Sequence, residues 1–140
     1  MKIADVHAHV FPEKLAVKAA GSIGQFYGTE MYCEASMERL VAEEEKAGVS
    51  RYVISSSAVV PKQVRSIVEF LAEARKGYPE CISFGSIYPG MDGYEEVLDE
   101  LQALGSRGLK IHPDFQKLPI DDPSGIETYR AIARRGLPVL

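Results

Sequence analysis

Apolar and polar positions along this chain follow two periods in turn. Short apolar runs, or alternation with a period of two, occupy about residues 2–10, 51–55, 81–88 and 108–112, and each predicts a β-strand. Between them, apolar residues recur with the period of a helix. Met37, Leu40 and Val41 mark a helix over about 36–47, and Val64, Ile67, Val68, Leu71 and Ala74 mark one over about 61–76. Tyr94, Val97, Leu98, Leu101 and Leu104 mark a third, for which Asp92 and Glu95 have the spacing of a capping box. Ile126, Tyr129, Ile132 and Ala133 mark a fourth, with Asp122 as its cap and Pro123 in its first turn. Gly48, Gly77, Gly105 and Gly136 stand where these helices stop. Leu137-Pro138-Val139-Leu140 reads as the start of a fifth strand.

Strands that alternate with single helices imply parallel pairing and right-handed crossovers, so the fold class is α/β. The predicted strands start near residues 2, 51, 81, 108 and 137, and residues 1–140 are expected to form one domain. A complete eight-fold barrel needs about 250 residues, more than the 140 present. One connection is out of proportion: residues 11–35 separate the first strand from the first helix, with a short helix expected over Glu13–Ala20. Connections of this length are often lids or binding loops. Leaving the C-terminal end of the first strand, it should lie beside residues 7 and 9.

Composition narrows the function. An apolar content of 46% suits a globular chain, and a net charge of −4 gives no basic patch for nucleic acid. No apolar run approaches the roughly 20 residues of a membrane span, and the N-terminus carries no signal-peptide pattern. Two cysteines, Cys33 and Cys81, make no disulfide framework, so a reducing, cytoplasmic setting is expected.

Asp5, His7 and His9 occupy alternate positions of the first strand. A regular strand places them on one face and Ala4, Val6, Ala8 and Val10 on the other. Two imidazoles on alternate residues of a rigid strand can grip one ion, and neutral imidazole nitrogen suits zinc, iron or nickel. Lys110 and His112 share a face at the end of the fourth strand. In parallel barrels the working residues sit at the C-terminal ends of strands, where all three histidines fall. We therefore expect His7 and His9 to bind a divalent metal, zinc first, and Lys110 and His112 to contact a small-molecule substrate. No residue stands out as the catalytic acid or base. Glu43, Glu44 and Glu45 are consecutive on a helix and are expected to fan into solvent. Ser55, Ser56 and Ser57 end the second strand in a polar loop, with no base in view to activate one of them.

The Asp-x-His-x-His strand followed by Val10-Phe11-Pro12 resembles the amidohydrolase superfamily. The nearest branch is the amidohydrolase-related group that includes aminocarboxymuconate-semialdehyde decarboxylase. Gly108-Leu109-Lys110-Ile111-His112-Pro113-Asp114-Phe115-Gln116 is similar to the fourth-strand region of that group. The resemblance covers the chain but only the first half of the family's barrel. It implies a parallel (β/α) half of a TIM-type, metal-dependent barrel. It also implies further ligands after the fifth, sixth and eighth strands, the last an aspartate that handles the proton. Some members carry a carboxylated lysine on strand four that bridges two metals, although a single metal is usual in this branch.

The expected function is a metal-dependent hydrolase or decarboxylase acting on a small carboxylated or cyclic substrate, incomplete in this chain. Two alternatives stand beside it. One is a non-catalytic half-barrel acting through assembly. The other is a polynuclear phosphoesterase, although residues 11–107 hold no histidine. Open strand edges seek partners, so a homo-oligomer or a separate C-terminal half is expected, with Ile3, Phe84, Lys110 and Val139 near the contact.

Overall fold

The computed structural model describes residues 2–140. Four parallel strands, β1 (Ile3–His9), β2 (Val49–Ser55), β3 (Cys81–Ser86) and β4 (Gly108–Lys110), pair in sequence order. They form a curled half-barrel with helices on its outer face, the architecture the strand–helix alternation predicts. The expected fifth strand is reduced to one parallel bridge, Leu109 to Val139, because Pro138 has no N–H to continue a ladder.

Six helices accompany the strands: α1 (Glu13–Tyr27), α2 (Met37–Ala47), α3 (Val64–Lys76), α4 (Tyr94–Ala103), α5 (Pro113–Gln116) and α6 (Ile126–Arg134). The Ser36 side chain accepts from Arg39 N and caps α2, and Gly48 closes it with a φ of 71°. Most positions of the four predicted helical stripes are buried or half-buried, but Leu104, at the cap of α4, and Ala133 are exposed, and in α6 Thr128 and Ala131 take the buried places. Val64, Val68, Val97, Leu98, Leu101, Ala131 and Ile132 pack on Leu109 and Ile111 behind β3 and β4. Leu71, with half-buried Met37, Leu40 and Val41, packs on Tyr52, Ile54 and Cys81.

Three local readings are corrected. The segment 11–35 is mostly helix: α1 runs to Tyr27, well past Ala20, because only the αL residue Gly28 stops it. Asp92 does not cap α4, since Gly93, with φ 70°, takes the cap position and no side chain caps the helix. Asp122 does accept from Ser124 N, but at a 3₁₀ turn over Pro123–Gly125 that precedes α6.

Glu44 is also corrected. It is not solvated but 7% exposed, on the inward face of α2 and beside the Asp5 carboxylate. Burial, then the hydrogen bond and charge of Asp5, push its pKa up to about 7. A raised carboxyl pKa contributes stability below the ordinary value, and that contribution is lost as pH rises through the folded value. Wild type should therefore lose stability relative to Glu44→Gln between about pH 4.5 and 7. The expected loss is on the order of 2 kcal/mol, measurable by urea unfolding at a series of pH values. A difference that stays flat with pH would show that Glu44 titrates normally.

Of the four residues expected near an intermolecular contact, Ile3 and Val139 are exposed, one at each side of the sheet. Phe84 is half-buried, with its ring over Gly108, and Lys110 is buried within the chain itself.

Candidate metal centre and its surroundings

β1 is not a regular strand. It pairs Asp5 with Tyr52 and Ala8 with Ile54, so two residues of β1 stand opposite one of β2. The side chain of Asp5 supports this bulge by accepting the His7 N–H at 2.8 Å. One consequence overturns the simple alternation. Asp5 shares the outer face with Tyr52 and Glu44, away from His9, which pairs with Ser55. Val6 is 63% exposed rather than buried with Ala8 and Val10.

Past the bulge the two imidazoles converge. His7 Nε2 and His9 Nε2 are 3.1 Å apart, and Lys110 Nζ is 2.9 Å from His7 Nε2. These three nitrogens come from β1 and from β4 across the curled sheet, at the C-terminal strand ends. Hydroxyls of the β2 terminus tie the strands together: Ser55 Oγ donates to Ala8 O at 3.4 Å, and Ser56 Oγ donates to Val10 O. These serines are therefore structural.

The electrostatics favour uncharged imidazoles. Burial first, then the nearby Lys110, holds His7 below its ordinary pKa, and Asp5 opposes this. His9 is pushed down to about 4 by burial, then by Lys110, His7 and His112. Burial lowers Lys110 as well. A neutral imidazole binds metal through its lone pair; at His7 that lone pair accepts from Lys110 Nζ, so an ion at Nε2 would replace the Lys110 contact. Zinc–nitrogen bonds of about 2.0–2.1 Å to both Nε2 atoms would subtend roughly 100°, close to a tetrahedral angle. The pair therefore fits one ion. Among the described residues, however, no group of three or more His, Cys, Asp or Glu side chains is placed to hold a metal.

His112 stands apart from this pair and has a different job. It caps α5 by accepting Phe115 N–H on Nδ1 at 3.4 Å, and its ring stacks on Phe115 at 3.9 Å. With Nδ1 accepting, the neutral ring carries its proton on Nε2, which meets Tyr27 Oη at 3.0 Å. Behind it, Gln116 is buried. Its amide donates to Ala58 O and Ile87 O, and its Oε1 accepts His112 N–H.

Tyr27 and Gln116 were not singled out as site residues in the sequence. Tyr27 falls within the connection over residues 11–35, and Gln116 ends the stretch 108–116 that resembles the family's fourth-strand region. Pro113 at the first position after a capping residue was the available signal for α5. Tyr27→Phe should leave the His112 Nε2 proton without this partner and cost about 1 kcal/mol in urea unfolding. The His112 ring ¹⁵N shifts should move while those of His9 do not. An unchanged His112 spectrum would contradict the contact.

No family model matches the chain, and no curated protein matches it. Solved structures do. A structure described as amidohydrolase II matches with a TM-score of 0.74 at 15% identity, covering 99% of this chain and 49% of that one. A probable 2-pyrone-4,6-dicarboxylic acid hydrolase from Acinetobacter baumannii, with citric acid bound, matches at 0.64 and 18% identity, with 99% and 48% covered. A 2,6-dihydroxybenzoate decarboxylase in complex with 2,6-dihydroxybenzoate matches at 0.64 and 17%, with 99% and 49% covered. The chain thus spans about half the length of the solved structures it matches. At these identities the likeness establishes the fold, half of an amidohydrolase-type barrel.

Proposed function

We propose that this chain is the metal-binding half of an amidohydrolase-type hydrolase or decarboxylase that acts on a small carboxylated substrate. The observation that carries the reading is the convergence of His7 Nε2, His9 Nε2 and Lys110 Nζ at the C-terminal strand ends. Fold neighbours described as a pyrone dicarboxylic acid hydrolase and a dihydroxybenzoate decarboxylase support the substrate class.

His7 and His9 would hold a divalent metal, zinc being suited to two neutral imidazoles. When bound, such an ion supplies a Lewis acid and lowers the pKa of a coordinated water. Lys110, buried and donating toward His7, supplies the positive charge that orients a substrate carboxylate. The His112 Nε2 proton is taken by Tyr27 Oη, so His112 would act on a substrate through the hydroxyl proton of Tyr27, a contact that also ties it to α1. Two ligands are fewer than the three usual for catalytic zinc, so the remaining donors come from a second copy or a separate half. The chain alone is then a poor catalyst. With Cys33 and Cys81 both free, a cytoplasmic setting is consistent with this reading.

A second reading, a non-catalytic half-barrel acting through assembly, is favoured by the lack of a third ligand among the described residues. Binding of 2,6-dihydroxybenzoate followed by ligand-detected NMR separates the two. The enzyme reading expects saturable, zinc-enhanced binding that weakens about tenfold in Lys110→Met, the worth of one charge-assisted hydrogen bond. Binding indifferent to both zinc and Lys110 would favour the non-catalytic half-barrel.

A further inference from the structure

A cavity of about 560 Å³ lies between α1, the loop after β2 and the start of α3. It is separate from the histidine pair: none of His7, His9, Lys110 or His112 lines it. Its wall on that side includes Phe26 and Phe115, packed edge to face at 4.6 Å, with Phe115 in turn stacked on His112. The volume falls in the range of small-ligand sites, about 300–1,000 Å³.

The lining has a definite chemistry. Four of the chain's five phenylalanines face it: Phe11, Phe26, Phe70 and Phe115. Leu15, Phe26 and Val59, also in the lining, are large apolar side chains left exposed, the mark of a surface that expects a ligand. None of the 16 lining residues is acidic, in a chain with 20 Asp and Glu, and Lys18 is the single charged one. Among the described residues Lys18 has no ion pair. Ser57, a further lining residue, has a buried Oγ with no hydrogen-bond partner, a group that gains by meeting a polar ligand atom.

We infer that this cavity binds an apolar monoanion, a carboxylate on an otherwise hydrocarbon body, at a site distinct from the metal pair. The phenylalanines take the body, Lys18 at the rim takes the charge, and the absence of acids rejects cations. The occupant is an anion rather than a neutral hydrocarbon because the one charge in the lining is positive and unpaired.

The test uses the whole chain, with decanoate as the probe and decanol and decyltrimethylammonium as controls. Binding is followed through the methyl NMR signals of Ile23 and Ile67, two lining residues. Decanoate should bind saturably with shifts at both methyls, decanol more weakly, and decyltrimethylammonium least. Lys18→Glu, at an exposed position that does not threaten folding, should weaken decanoate about fivefold or more. Ala19→Trp, which fills the cavity, should abolish binding. Zinc affinity should be unchanged in both variants, which keeps this result separate from that at His7 and His9. The inference is overturned if decyltrimethylammonium binds as well as decanoate, if Lys18→Glu has no effect, or if the Ile23 and Ile67 methyls stay unmoved.

Discussion

Replacing His7 and His9 together with alanine will remove stoichiometric zinc binding, while the fold survives. Both Nε2 atoms point at one place, 3.1 Å apart, and both imidazoles are held in the neutral form. Losing only the hydrogen bonds that support a ligand typically costs 10- to 100-fold in metal affinity, about 1.4–3 kcal/mol. Losing two ligands must cost more, so titration calorimetry should show no saturable heat in the double variant. Either single variant should retain a weak remnant. His7 is exposed and His9 only half-buried, so the unfolding midpoint without metal should change little. The affinity should also depend on pH with a defined sign. A proton competes for the same lone pair, and the His9 pKa of about 4 lets that nitrogen stay free well below neutrality. Zinc binding should therefore weaken only gradually from pH 7 to pH 5.5. A steep loss centred near 6.5 would mean that the imidazoles titrate as in free histidine.

The largest effect on stability is expected from Leu109→Ala. Leu109 is fully buried in β4, the short strand that carries Lys110, and it packs with Leu98, Leu101 and Ile132. Its N–H donates to Pro138 O and its carbonyl accepts from Leu140 N, so it also holds the C-terminal bridge. Truncating a buried leucine to alanine costs about 2–5 kcal/mol through lost transfer energy and the cavity left behind. That is a large share of the roughly 5–15 kcal/mol that holds a domain together. Val139→Ala, at its exposed bridge partner, should cost less than about 0.5 kcal/mol. Urea unfolding of the two variants side by side checks this. Equal losses would mean that the C-terminal bridge, rather than the core beneath it, holds β4.

Most of the scaffold was legible because burial enforces periodicity. The four strands and the central positions of the four helical stripes meet in the core, so there tertiary packing agreed with local pattern, while the terminal positions Leu104 and Ala133 face solvent. Boundaries were less legible where a local contact intervened. α1 runs past the expected end at Ala20 through Gly21 and Gly24, and stops only at its cap Gly28, which is αL. The capping-box spacing of Asp92 and Glu95 was overridden by Gly93, which adopts a positive φ that aspartate disfavours.

The site was legible only in part. Histidines on alternate residues were read as partners, and the structure does bring their nitrogens together. The placement of Asp5 could not be read, because it depends on a bulge that a strict period of two forbids. Glu44 was misread for a related reason. Its neighbours in sequence fan into solvent, and only the fold brings Asp5 to it. Tyr27 meets His112 from 85 residues away, a contact that no local pattern records.

The measurement that bears most directly on the central reading is anomalous X-ray scattering from a zinc-loaded crystal. The account predicts one peak about 2.0–2.1 Å from both His7 Nε2 and His9 Nε2, at the C-terminal end of β1 and near Lys110. No peak between these imidazoles, or zinc bound elsewhere while both rings keep their present contact, would contradict it.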